Sequence, residues 1–356
     1  MASETRGPQG FERVIEAAPA KVAEFAETKT PVQKLQYALH QTPALVPLIV
    51  LVASIIGFGL LLGHKFFSAY ALTLILQQVA ITGIVGAAQT LVVMTAGIEL
   101  SVGAITVLSS VIMGQFTFRY GIPAPISVLC GLGVGTFIGF LNGTMVARMK
   151  LPPFIVTLGM WQIVLAANFI YSANETIRAQ DIEEKAPILQ FFGETIRIGG
   201  AVLNFGAILM IAIVAVLAYV LRHTAFGRHV YAVGDDPDAA ELAGVKVKSI
   251  LISVYTISGL ICGLAGWALI GRLGSVSPTS AQLENINSIT AVVIGGISLF
   301  GGRGSILGMM FGALIVGVFT LGLRMYGTDP QWTFLLIGSL IIAAVAVDQW
   351  IRKAAA

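Results

Sequence analysis

Ala44-Leu45-Val46-Pro47-Leu48-Ile49-Val50-Leu51-Val52-Ala53-Ser54-Ile55-Ile56-Gly57-Phe58-Gly59-Leu60-Leu61-Leu62-Gly63 runs without a charged side chain. A helix rises about 1.5 Å per residue, so a stretch of this length covers the roughly 30 Å hydrocarbon core of a bilayer. Comparable stretches follow to the end of the chain, at 70–96, 101–118, 123–147, 154–172, 201–221, 249–271, 288–300, 306–322 and 331–350. The eighth of these is too short to cross alone and is expected as a broken or re-entrant helix. Irregular backbone at membrane depth survives only where protein or a cavity satisfies its polar groups. The glycine-rich continuation, with Gly295, Gly296, Gly301, Gly302 and Gly304, is therefore a candidate for a pathway.

Composition agrees with this reading. Hydrophobic residues make up 56% of the chain and charged residues only 11%, against roughly 25% charged in soluble domains. The predicted fold is an all-α integral membrane protein of about ten segments. An even count puts both termini on one side. Lys and Arg are about twice as frequent in the tails and the 148–150 and 222–248 loops as on the opposite side, which makes that side cytoplasmic.

The organisation that follows is a solvated tail at 1–43, a membrane domain at 44–350 with a cytoplasmic loop at 222–248, and a short tail at 351–356. The first tail mixes Arg and Lys with Glu and has room for an amphipathic helix near Phe11–Phe25, interrupted by Pro19. No apolar run follows Met1, so a cleavable signal peptide is not expected.

Residues that could carry chemistry are sparse. Cys130 and Cys262 lie in apolar runs and read as packing residues. His40, His64, His223 and His229 flank the segments without metal-ligand spacing, so no metal site, no catalytic constellation and no enzyme activity are expected. Glycines recur every four residues at Gly135, Gly139 and Gly143, at Gly259 and Gly263, and at Gly308 and Gly312. That spacing places them on one helix face, where a second helix can approach closely. Packing inside one bundle is the expectation, and a specific dimer face the alternative. An internal echo links Val93–Gly103 with Val292–Gly302, pairing Gly97 with Gly296. Duplicated halves and chance likeness between apolar glycine-rich stretches both account for it.

The 222–248 loop is more than a connection. Asp236 can cap a helix, Pro237 suits its first position, Asp238 favours its positive end, and Gly244 is a natural stop. A helix over 237–243 is about 10 Å long and marginal alone in water, so it needs something to pack against. That is either its own bundle or a cytoplasmic partner.

Gly234-Asp235-Asp236-Pro237-Asp238-Ala239-Ala240, with Glu241 and then Ala243-Gly244-Val245, resembles the coupling loop of permeases in the ribose-type branch of ATP-binding-cassette sugar importers. Gly97-Ile98-Glu99-Leu100-Ser101-Val102-Gly103 resembles a second motif of that branch, which usually carries Asp where this chain has Glu99. Ile294-Gly295-Gly296 with Phe300-Gly301-Gly302-Arg303-Gly304-Ser305 resembles a third. The wording at Pro153–Trp161 and Gly327–Trp332 is similar to fructose permeases of the rhizobial type. The resemblance spans roughly 45–350 and implies a bacterial inner-membrane subunit that forms the path for a monosaccharide, fructose first, with ribose or mannose as alternatives. It implies a second permease copy, cytoplasmic ATPase subunits docking on the 234–245 loop, and a periplasmic sugar-binding protein. ATP would be used by the partner, with no cofactor bound by this chain and no role for nucleic acid. The absence of a Gly-x-x-x-x-Gly-Lys-Ser/Thr phosphate loop agrees with that division of labour.

Candidate pathway residues are Gln77, Glu99, Trp161, Gln162 and Asn168, since neutral sugars suit amide partners and an aromatic ring against their apolar face. Glu99 is the one acid read deep within the apolar region, and it admits either a structural or gating role or direct sugar contact. Gln78, Gln89 and Asn142 are further polar candidates. Two other classes remain in play. An ion- or proton-coupled sugar carrier would need paired intramembrane charges, and a membrane enzyme would need a metal or acid–base cluster.

Overall fold

The computed structural model describes residues 44–353. The readings of the 1–43 tail, and of the last three residues of the C-terminal tail, lie outside the described residues. Long helices dominate: α1 Leu45–Leu62, α2 Ala69–Met94, α3 Val102–Tyr120, α4 Ala124–Arg148, α5 Pro153–Ser172, α7 Phe205–His223, α10 Val247–Leu273, α12 Ile306–Tyr326 and α13 Pro330–Lys353. Among the described residues these nine helices are long and apolar enough to cross a membrane. Side chains such as Leu60 (83% exposed) and Ile170 (81%) stand bare on the outside of the bundle. Water would penalise that surface, whereas lipid tails do not.

Local chemistry sets the helix boundaries. Ser68 caps α2 through Ala71 N (3.1 Å), Asn204 caps α7 through Ala207 N (2.9 Å), and Ser305 caps α12 through Gly308 N (3.0 Å). The sixth segment starts later than expected. Residues 195–204 form a hairpin, β1 Thr195–Ile198 with β2 Ala201–Asn204, and the span begins only at Phe205. Its two-residue Gly199-Gly200 turn has both φ values positive, the geometry that matches strand twist. Three short helices complete the connections: α6 Ala179–Lys185, α8 Ala225–Asp235 and α9 Pro237–Leu242.

The eighth segment is α11, Glu284–Ile294, only 11 residues long and displaced toward the N-terminus from the expected 288–300. Alone it covers about 16 Å. Residues 295–304 lie at the far end of α2, where Gly302 N donates to Met94 O (3.0 Å). α2 begins beside the hairpin, where Val202 N donates to Thr73 Oγ1 (3.1 Å). α11 begins beside Thr82, midway along α2, and runs to the end carrying 224–246, so the irregular 274–283 segment covers the other half of the depth, as expected of a broken helix.

The glycine stripes are internal. A methyl on Gly135 would lie 2.6 Å from the Gly259 carbonyl oxygen, and methyls on Gly139 and Gly259 would overlap backbone across the same α4–α10 seam. Gly308 and Gly312 of α12 meet Gly295 and Ala291 in the same way. The expectation of packing within one bundle fits these contacts. Gly259→Ala is expected to destabilise by about 1–3 kcal/mol, because a backbone oxygen cannot rotate away. Gly133→Ala, on α4 but facing open space, should leave the detergent melting midpoint unchanged or slightly raised.

The internal echo has a physical basis, one residue out of the register read from sequence. After α2, Ala96 (φ +58°) follows the last turn, with Ala96 N bonded to Val93 O and Gly97 N to Val92 O. After α11, Gly296 (φ +71°) does the same, with Gly296 N bonded to Val293 O and Ile297 N to Val292 O. Ala96 thus pairs with Gly296. Both helices end in the same left-handed cap, in which the second residue beyond reaches back one turn.

Candidate functional site

Three stretches far apart in sequence meet at the 224–246 end. The Met94 carbonyl that receives Gly302 N also faces Gly234 of α8, where any side chain would overlap it. Gly301, at φ +82°, packs so close that a methyl there would lie 2.5 Å from Gly234 O. Tyr231 of α8 donates from Oη to Gly304 O (2.9 Å), and burial pushes its phenol above the usual range, so it remains a donor. The ends of α2 and α11 therefore clasp α8 backbone to backbone.

α9 projects from this clasp. Asp236 accepts both Asp238 N and Ala239 N at 3.0 Å, Pro237 occupies the first position, and Gly244 takes φ +86° beyond the end. The helix stops at Leu242, one residue short of expectation. Ala240 is its only buried residue, while Asp235, Asp236, Asp238, Ala239 and Glu241 are exposed and Leu242 is 90% exposed. An apolar side chain left bare on a six-residue acidic helix is a surface suited to a protein partner.

A cavity of about 350 Å³ lies between the start of α3, one face of α5, the 278–283 segment and the start of α11. This is the size of small-molecule sites, roughly 300–1,000 Å³. Trp161 and Asn168 both line it. Asn168 Nδ2 donates to Pro278 O (2.8 Å), while its buried Oδ1 takes no hydrogen bond. The segment over the cavity is tied down at the hairpin end by reciprocal Ile177–Val276 backbone bonds of 3.0 and 3.1 Å. A tryptophan ring with neutral amides suits a neutral hydroxylated solute.

The other three candidates sit elsewhere. Gln77 donates from Nε2 to Val202 O on the hairpin. Gln162, next to Trp161 in sequence, is exposed on the outer face of α5. Glu99 is 1% exposed and lines none of the described cavities. Its Oε1 accepts Ser101 N (2.9 Å) and Ser101 Oγ, and its Oε2 accepts Asn142 Nδ2 (3.0 Å). It thereby ties the turn leading into α3 to α4.

Two residues escaped the sequence reading. Asn285 lines the cavity and accepts Gly103 N at 2.6 Å. Glu284 corrects the picture of Glu99 as the one interior acid. Because α11 starts four residues earlier than expected, Glu284 enters the bundle, where Oε2 accepts Thr82 Oγ1 (2.9 Å). It lines a second cavity of about 310 Å³ that also includes Arg272 and Arg324. The run Glu284-Asn285-Ile286-Asn287-Ser288, ahead of an apolar stretch, was the available signal of a helix start.

Residues 71–345 match the family model described as branched-chain amino acid transport system, permease component. The chain is 72% identical over 349 residues to the fructose import permease protein of Rhizobium meliloti, covering 98% of this chain and 97% of the relative. It is 33% identical to the ribose import permease protein of Escherichia coli strain K12, covering 87% and 94% of the two chains. It is 31% identical to the D-allose transport system permease protein of the same strain, covering 83% and 88%. No solved structure matches the chain.

Proposed function

Because the chain belongs to the family of branched-chain amino acid transport system permease components, we propose that it forms the membrane path of an ATP-driven monosaccharide importer, with D-fructose as first substrate. The observation that carries the coupling reading is the 234–245 loop, a capped helix with a bare Leu242, held by backbone contact to the ends of α2 and α11. A separate ATPase would dock there and use the ATP. A protein outside the membrane would deliver sugar, and a second copy of the chain would complete the pathway. The choice of sugar is supported by relatives named for fructose, ribose and allose, and by the neutral lining of the 350 Å³ cavity around Trp161 and Asn168. Both termini are assigned to the cytoplasm, from the Lys and Arg bias and from the need for α9 to meet an ATPase.

Glu284, with Arg272 on the same cavity, favours the ion- or proton-coupled carrier as the second reading. One experiment separates the two. The tagged chain, purified in mild detergent from its host, is expected to retain a stoichiometric ATPase. Replacing Asp236, Asp238 and Glu241 together with Ala should release that ATPase and lower ATP-driven D-fructose uptake more than about tenfold, through loss of the cap and of the docking charges. A chain recovered alone that still moves sugar in vesicles without ATP would replace the importer by the carrier.

A further inference from the structure

We propose that Asn285 is a specificity-determining residue of the path: its amide oxygen is held by Gly103 N–H, which turns its amide nitrogen toward the cavity as a donor to one sugar hydroxyl. The inference rests on the reading of the 350 Å³ cavity as the sugar's route. A backbone N–H can only donate, so the Asn285 atom 2.6 Å from Gly103 N must be the oxygen. The opposite amide orientation would set two donors against each other. Among the described residues Nδ2 has no hydrogen-bond acceptor, yet Asn285 is only 5% exposed and lines the cavity. The donor is thus fixed in direction, shielded from bulk water and free. Gly103 is required by the same arrangement, since a methyl there would lie 2.5 Å from Asn285 Oδ1.

Surrounding groups complete the recognition set. Trp161 offers a ring face, and the unpartnered Oδ1 of Asn168 offers an acceptor on the same cavity. A site that holds a donor in place rejects a ligand lacking the matching hydroxyl, because its own polar group is then left unpaired.

Asn285→Asp separates this role from a structural one. The carboxylate keeps an acceptor for Gly103 N and sits in the first turn of α11, where a negative charge is favoured, but it loses the donor. The test uses vesicles containing the permease with its ATPase and sugar-binding protein, measuring uptake of D-fructose and each of its monodeoxy analogues. The wild type should take up one analogue roughly fivefold more slowly than fructose, about one hydrogen bond. In Asn285→Asp fructose uptake should fall by a similar factor, and that analogue's disadvantage should vanish while the others keep theirs. The delivering protein is identical in both preparations, so the difference belongs to the permease. Asn285→Ala, which also loses the Gly103 acceptor, should melt at lower temperature than Asn285→Asp. Identical analogue profiles in wild type and Asn285→Asp, or a wild type indifferent to every analogue, would overturn the inference and leave the importer reading standing. A wild type that takes up L-leucine and no sugar would remove the sugar reading, and the inference with it.

Discussion

Gly234→Ala is expected to reduce ATP-driven uptake more than tenfold while leaving the membrane bundle assembled. The position lies in α8 with ordinary helical backbone, so alanine is conformationally acceptable there and even improves helix propensity. The damage is steric and local. The new methyl would overlap the Met94 carbonyl oxygen and crowd Gly302 N at 2.7 Å, so the Gly302–Met94 bond must open or α8 must move. Overpacking of this kind costs about 1–3 kcal/mol, and an unmade buried backbone bond adds about 1–3 kcal/mol. The bundle can absorb that loss, because α4, α10 and the rest of the core are untouched. The clasp cannot, since it has no side chain to rearrange. ATP hydrolysis by the docked partner should persist and become insensitive to sugar. Unchanged uptake together with an unchanged melting midpoint would show that the three-way contact carries no motion.

That clasp also marks where sequence reading stops. The spans were legible because lipid imposes its own composition on any segment that faces it, and the 44–63 stretch has no other stable use. The α9 helix was legible to within one residue because Asp236, Pro237 and Gly244 act locally, through a cap, a fixed φ and a left-handed stop. Tertiary convergence leaves no such local trace. Nothing near Gly234 announces that its neighbours are Met94 and Gly301, and glycine there looks like any glycine of a short helix. The pathway candidates divide for the same reason. Trp161 and Gln162 are adjacent in sequence but about 100° apart around α5, so one lines the cavity and the other faces outward. The hairpin at 195–204 was absorbed into a span because Ala201-Val202-Leu203 runs on into the apolar start of α7, and hydropathy has no period there to separate strand from helix.

Glu99 offers the sharpest contrast between two substitutions at one site. Glu99→Leu is expected to prevent stable accumulation of the permease, whereas Glu99→Gln should accumulate and transport within about twofold of the wild type. With leucine, Ser101 N and Ser101 Oγ lose their acceptor and Asn142 Nδ2 keeps only Ser101 Oγ, inside the protein where both Ser101 and Asn142 are fully buried. Each orphaned donor costs about 1–3 kcal/mol, a large share of the 5–15 kcal/mol that typically separates folded from unfolded protein. Glutamine keeps an oxygen for Ser101 N. Its new amide would meet Asn142 Nδ2 as donor against donor, but Asn142 Oδ1 has no hydrogen bond in the native protein. Rotating the Asn142 amide by half a turn presents that acceptor and restores the pair, but takes Nδ2 from Ser101 Oγ, a net loss of about 1–3 kcal/mol. The formal charge is thus expected to be dispensable and the acceptor geometry not, which fits a role in holding the turn before α3 against α4. Membrane yield and thermal midpoint of the two variants decide it. If Glu99→Gln folds normally but loses all uptake, the carboxylate acts on the transported solute or on a proton, and the carrier reading regains its charge.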